Sequence, residues 1–393
     1  MVIRNQRAPM HYRRFGKTDK WLSNITLGGM RYHDGWSGPK DQPSTKMIDQ
    51  CAEITAKAFE CGINHIETAH GYGKSEHCYG SVLNDVLQAP RDSYHFMTKG
   101  RCNTAEEMRR TVEAQLAALK LDHIDLYAWH GINTAEDFAN ATQTGGPVEE
   151  LHKMCEEGII GDVGFSTHGR LEIIIDALAT DLFSFVNLHY YYFMQRNRGA
   201  VDYAAAKDIG VFIISPNDKG GKLYEPSKKL SQLCAPLTPI QFNARWCLAH
   251  TQIQTLSFGL SELDQFEEML GIFPYNVPLS RDDLAVVHRM NGALLDHPES
   301  SWDGYEMLDD PSGINIPDIL RMRRMWKCYA HTSFPRMRYN MFEEHDAWHP
   351  GSFATPEAVA KIDTSKAPAS IDIRTAMTEV HEQFYQPNEE GGS

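Results

Sequence analysis

The chain lacks an excess of basic residues: 38 Lys and Arg face 52 Asp and Glu, a formal charge of −14 over 393 residues. With no Lys/Arg run beyond two or three residues it presents no polycationic face, which argues against nucleic acid or an anionic membrane surface as partner. No apolar run approaches the ~18 residues of a membrane span. Met1–Met10 carries Arg4, Arg7 and Pro9 where a secretory signal would carry an apolar stretch, so the expected location is cytoplasmic. Cysteine is scarce and scattered: eight residues (51, 61, 78, 102, 155, 234, 247, 328), none in a C-x-x-C pair, read as reduced structural thiols without a metal site. His345 and His349 have i, i+4 spacing, but Pro350 and Gly351 follow at once and no metal is expected there. What is abundant is apolar and aromatic: 42% hydrophobic, 10% aromatic and 23% charged residues suffice for a large buried core.

Short β-branched runs alternate with longer amphipathic segments, the pattern of βα units around a parallel sheet. The runs are Asn24–Leu27, Asn64–Glu67, His95–Thr98, Ile124–Trp129, Asp162–Phe165, Phe185–Leu188, Val211–Ser215 and Thr255–Phe258. Helical spacing is clear in 44–60 (Met47, Cys51, Ile54, Ala58) and 104–119 (Met108, Val112, Leu116, Leu119), and Gly62, Gly158 and Gly210 fall where a helix C-cap is expected. Eight repeats ending near Gly271 predict a (β/α)8 TIM barrel over residues 11–271. A doubly wound open sheet ranks second, because no G-x-G-x-x-G follows the first run. Residues 272–393 form a mainly helical C-terminal extension, with helices over 281–295, 317–330 and 373–385, expected to pack on the barrel.

In such barrels chemistry sits at the carboxyl ends of the strands. There the sequence places Glu67 and Tyr72 after strand two, Lys99 at the end of strand three and His130 at the end of strand four. A Lys beside a Tyr stabilises phenolate and is expected to lower the phenol pKa from ~10 toward neutrality. Glu67 would keep Lys99 charged, and His130 would orient a carbonyl oxygen. Each residue alone has an ordinary packing or ion-pair reading; their convergence on neighbouring strands carries the assignment. None of them can deliver hydride, so a cofactor must.

These motifs resemble the aldo-keto reductases. Arg14-Phe15-Gly16-Lys17-Thr18 and Leu22–Met30 are similar to that family's opening hairpin and first strand, and Gly62–Gly73 to its best signature. The resemblance implies a tetrad of Glu67, Tyr72, Lys99 and His130, with Glu67 longer by one methylene than the family's Asp. It further implies dinucleotide contacts at Gly29 and Met30; a carboxamide site at Ser166, Thr167 and Asn187; a pyrophosphate loop with Ser215, Pro216, Lys219, Gly221 and Leu223; and an adenosine-side turn with Gly259, Ser261 as N-cap, Gln265 and Glu268. Gln265 stands where many NADPH-specific members carry Arg; NADP is the expected cofactor by family habit, and NAD stays open. Rim residues Arg31, Tyr32, Trp36, His70 and Trp129, with Tyr190–Tyr192, would suit a sugar or polyol substrate.

The tail resembles the extension of iron–sulfur-type members through 312–319, Arg338–Phe342 and Trp348–Gly351. Residues 307–311 read Met-Leu-Asp-Asp-Pro where those relatives cluster cysteines, so no iron–sulfur cluster is expected. The expected function is NAD(P)-dependent interconversion of a carbonyl and an alcohol. Two alternatives are a catalytically retired scaffold that senses NADP, and a transient-oxidation epimerase or lyase that retains its cofactor. The oligomeric state is not legible in the sequence.

Overall fold

The computed structural model describes residues 2–297, 310–343, 346, 348–367 and 371–386, apart from the side chains of Lys219 and Lys366. His345, and Met307–Asp309 of the cysteine-cluster position, lie outside the described residues.

Among the described residues ten strands are present: β1 (Tyr12–Arg14), β2 (Trp21–Ser23), β3 (Ile25–Gly28), β4 (His65–Glu67), β5 (His95–Gly100), β6 (Ile124–His130), β7 (Ile160–Ser166), β8 (Phe185–Leu188), β9 (Gly210–Ile213) and β10 (Thr255–Phe258). β1 and β2 form an antiparallel hairpin pairing Tyr12 with Ser23 and Arg14 with Trp21. β3 to β10 close into an eight-stranded barrel in chain order, every pairing parallel and β10 returning to β3. This is the expected (β/α)8 barrel, each strand lying within two residues of its predicted run at its amino-terminal end.

The helices are α1 (Thr45–Glu60), α2 (Ser75–Ser81), α3 (Ala105–Leu119), α4 (Ala135–Thr142), α5 (Pro147–Glu156), α6 (Leu171–Ala179), α7 (Arg198–Ala206), α8 (Lys228–Cys234), α9 (Pro239–Leu248), α10 (Gln265–Leu270), α11 (Arg281–Leu295), α12 (Ile316–Tyr329), α13 (Ser333–Tyr339), α14 (Pro356–Ala360) and α15 (Ile373–Phe384). The caps explain where the longer ones begin. Ser44 and Thr104 accept from the backbone N–H of Met47 and Glu107, satisfying donors a helix start leaves open. α1 then buries Met47, Cys51, Ile54 and Ala58, the stripe its spacing predicts.

Gly62 and Gly158 take positive φ as helix-ending residues should. Gly210 does not: it opens β9, and the left-handed residue after α7 is Asp208, at φ 53°. Gly210 is needed for space instead, since a Cβ there would lie 2.7 Å from the Phe15 ring. Phe15, Leu22, Met97, Leu126, Ala128, Phe185 and Phe212 form a buried cluster within the barrel.

The chain divides into two compact units, Met1–Pro216 with Ala244–Pro278, and Asn217–Asn243 with Leu279–Ser393. This differs from a single cut at residue 271: segment 217–243, a βα connection by sequence, groups with the tail. Within the second unit Asp218 pairs with Arg321 at 2.7 Å, Ser227 Oγ donates to Tyr329 O at 2.6 Å, and Arg289 Nε donates to Leu233 O at 2.9 Å.

Candidate active site

β4 ends at Glu67 and the chain keeps its parallel ladder for three residues more: Thr68 N–H donates to Met97 O and His70 N–H to Lys99 O. The chain then turns, with Tyr72 N–H on Ala69 O at 2.9 Å. Gly73 makes the turn possible, because φ is +55° and a Cβ would lie 1.9 Å from Gly35 O. Register and turn together bring Tyr72 back over the end of β5.

Lys99 is fully buried. Its ammonium donates to Glu67 Oε2 in a short ion pair and to Thr68 O at 2.7 Å, and lies 4.8 Å from the centre of the Tyr72 ring. The other Glu67 oxygen, Oε1, accepts from Ser257 Oγ at 3.0 Å. The Tyr72 and His130 rings meet edge to face, centroids 5.8 Å apart. All four expected residues therefore converge.

The electrostatics differ from expectation in one respect. The Tyr72 phenol is pushed above its ordinary value, not below it: burial dominates, Glu67 adds to it, and Lys99 pulls the other way without winning. Tyr72 thus holds its proton at neutral pH. For Lys99, burial opposes the charge, but Glu67 and Tyr72 outweigh it and the ammonium is raised above its ordinary value.

Two further strand ends carry polar groups. Ser166 Oγ accepts from Gly131 N–H at 3.0 Å, which leaves its own proton for another acceptor. Asn187 is fully buried; its amide nitrogen contacts Met97 Sδ at 3.3 Å and its Oδ1 has no partner. A buried carbonyl oxygen without a donor costs free energy unless a ligand supplies one. Thr167 is committed elsewhere: its hydroxyl donates to Ile132 O at 2.6 Å and accepts from Gly169 N–H at 2.9 Å.

The expected rim splits. Trp36 is 58% exposed and Met30 49%, both on the segment after β3. Tyr32 and Trp129, expected to meet substrate, are buried packing residues: Tyr32 hydrogen-bonds Tyr79, and Trp129 Nε1 donates to Cys102 O. Tyr190, Tyr191 and Tyr192 are buried as well. Arg31 lays its aliphatic stem across Gly259, where a Cβ would meet Arg31 Cδ at 2.7 Å, so it packs on the turn after β10. His70 is exposed, its Nδ1 3.4 Å from buried Glu76.

In the turn after β10 Ser261 is not the N-cap. Asp264 precedes α10, and Gln265 Oε1 folds back to accept from the N–H of Ser261 and Glu262. Glu268 lies in the first turn of α10, and Gly29 packs on Tyr79, where a Cβ would be 2.5 Å from the ring. Ser215 adopts φ 52° beyond β9, followed by buried Pro216. Gly221, at φ 68°, and buried Leu223 belong to the second unit, as does the Lys219 backbone; the Lys219 side chain lies outside the description.

Sequence reasoning missed Ser257, Gly28 and Glu76. The signal for Ser257 was a serine near the carboxyl end of the run Thr255–Phe258, one of its two hydroxyls. Glu76 lies in the first turn of α2, where acids are commonplace; here it accepts from Thr98 Oγ1 and Gln115 Nε2, both at 2.6 Å. Among the described residues no group of three or more His, Cys, Asp or Glu could hold a metal, and no helix is long and apolar enough to cross a membrane.

An eight-stranded parallel barrel whose strand ends unite a carboxylate, an ammonium, a phenol and an imidazole defines a class of carbonyl-handling barrel enzymes. The chain belongs to the Aldo/keto reductase family, whose profile matches residues 24–291, and is an oxidoreductase of that family. It is 24% identical over 305 residues to L-galactose dehydrogenase of Arabidopsis thaliana, covering 68% of this chain and 88% of that protein. It is 29% identical over 196 residues to the NADH-specific methylglyoxal reductase of Escherichia coli, covering 40% of this chain and 56% of the other. Aldo-keto reductase AKR11C1 from Bacillus halodurans, in its holo form, superposes with a TM-score of 0.58 at 21% identity, over 71% of this chain and 96% of that one.

Proposed function

We propose that this protein interconverts a carbonyl and an alcohol with a nicotinamide dinucleotide, Tyr72 acting as general acid and base. The observation that carries the reading is the buried Glu67–Lys99 pair beneath Tyr72, which meets His130 edge to face. In reduction Tyr72, protonated at neutral pH, gives its proton to the carbonyl oxygen. The phenolate left behind lies beside the Lys99 ammonium, and Glu67 holds that ammonium charged through the exchange. His130 orients the oxygen that receives the proton. In oxidation the same groups run in reverse.

The bound nicotinamide supplies or accepts the hydride. Ser166 Oγ and the unpartnered Asn187 Oδ1 fit its carboxamide, one with a hydroxyl proton to give and the other with an acceptor to fill. NADP remains the proposed form, with NAD the competitor. A sugar or polyol is the proposed substrate class, supported by exposed Trp36, whose ring face can stack on sugar C–H groups, and by the likeness to a galactose dehydrogenase. A cytoplasmic location belongs to the same reading, in keeping with eight free thiols.

Tyr72→Phe tests the proposal. Turnover with glyceraldehyde, methylglyoxal or L-galactose should fall by about 10²- to 10⁴-fold while NADPH affinity, read by fluorescence, stays within about twofold. Unchanged turnover would sink the assignment, and dinucleotide binding with no turnover by the wild type on any carbonyl or sugar would favour a sensor.

A further inference from the structure

We propose that Ser257 is a positioning residue for Glu67, and that with Gly28 it builds the cradle that lets a glutamate serve beneath the Lys99–Tyr72 pair. The proposal rests on the reading of Tyr72, Lys99 and Glu67 given above.

Glutamate has one more rotatable bond than aspartate, so a carboxylate anchored only by Lys99 could swing and carry the ammonium with it. Here both oxygens are held. Oε2 takes the Lys99 ammonium and Oε1 takes the Ser257 hydroxyl at 3.0 Å; an ionised carboxylate only accepts, so Ser257 is the donor. Both groups are buried, Glu67 at 4% and Ser257 at 9% exposure, where a hydrogen bond to a charge is at its strongest.

Space for the longer side chain comes from Gly28. A Cβ at that position would stand 2.9 Å from Ser257 Oγ and 3.2 Å from Glu67 Oε1, so any larger residue would press on the contact from the strand between them. β3 lies between β4 and β10, with Gly28 opposite Glu67 in the parallel register and Ser257 opposite Thr26. The three residues thus come from three adjacent strands.

The hydroxyl also offsets the charge that Tyr72 experiences. Glu67 pushes the phenol up and Lys99 pulls it down. Removing the Ser257 donor leaves Oε1 unsatisfied, draws Lys99 further toward the carboxylate and weakens its hold on the phenolate.

The test is a double-mutant cycle on kcat with NADPH and glyceraldehyde or L-galactose, using Ser257→Ala, Glu67→Asp, their combination, and Tyr72→Phe as control. Ser257→Ala should lower kcat about tenfold, the scale of a lost hydrogen bond to a charged group. KM and NADPH affinity should hold within about twofold, and the alkaline limb of the kcat profile should move to higher pH. In the Glu67→Asp background the carboxylate is withdrawn by about 1.5 Å, one carbon–carbon bond, and no longer reaches both partners. There Ser257→Ala should cost less than about twofold more. Gly28→Ala, which disturbs the same contact without touching Ser257, should reproduce the kcat loss and pH shift, and serves if Ser257→Ala does not fold. Equal losses in both backgrounds, or an unshifted limb, would overturn the positioning role while an inactive Tyr72→Phe leaves the catalytic reading standing. An active Tyr72→Phe would overturn both.

Discussion

Asp125 receives donors from Arg4, Arg91, His95 and the Phe96 backbone. Burial opposes its charge, but His95 and Arg91 outweigh burial, and the carboxyl is held well below the usual range. Close by, His65 and His95 are both held below the ordinary histidine value, chiefly because burial disfavours the imidazolium. The sign is the same for all three. A folded-state pKa below the unfolded one contributes stability that is present at higher pH and lost as pH falls toward the folded value. Unfolding free energy should therefore begin to drop below about pH 6.5, as the unfolded chain's histidines take up protons, and drop further below about pH 4, as Asp125 does. Urea titrations from pH 8 to pH 3 check this; a flat profile between pH 7 and pH 4 would refute it. The histidine and aspartate letters were legible at once, but not these shifts, because desolvation depends on what surrounds a side chain in space.

At the scale of the element, the turn between β4 and α2 governs the site. Gly73→Ala forces a side chain into positive φ and against Gly35 O, a strain of about 1–3 kcal/mol. The segment would relieve it by moving Tyr72 off Lys99, so the variant should lose most of its turnover while the barrel still folds, with a melting temperature several degrees lower. Calorimetry and kcat together read it, and full activity would mean that the turn does not position Tyr72. The strands themselves were legible: β8 and β10 match their runs residue for residue, since a buried parallel strand is a short apolar run bounded by turn signals. The turn after β10 was not. Ser261 fits a capping pattern, yet Gln265 reaches back and takes the open N–H groups itself, a choice made by side-chain reach.

At the scale of the whole molecule, segment 217–243 belongs with residues 279–393. A chain ending at Pro278 would strip Asp218 of Arg321, Ser227 of Tyr329 and the Leu233 carbonyl of Arg289. Breaking the buried Asp218–Arg321 ion pair alone would cost about 3–5 kcal/mol. Such a truncation should be poorly soluble and cleaved by trypsin within 217–243 before the barrel is attacked, with peptide mapping as the readout; a soluble, resistant 1–278 would show that the segment stands without the tail.

The sequence by itself determined the repeat of strand and helix, the eightfold count, and the residues at the strand ends, because hydrophobic period and turn chemistry are local and a barrel puts every strand end at one mouth. It also supplied Glu67, Tyr72, Lys99 and His130 as candidates. Only the tertiary structure decided how they behave. Tyr72 keeps its proton because burial outweighs its neighbouring ammonium, Thr167 is spent on backbone, and Tyr32 and Trp129 face packing instead of solvent. Ser257, 190 residues from Glu67, reaches the carboxylate because closure of the barrel brings the last strand against the first. Such contacts depend on distance through space and on what water is excluded, and neither quantity is written along the chain.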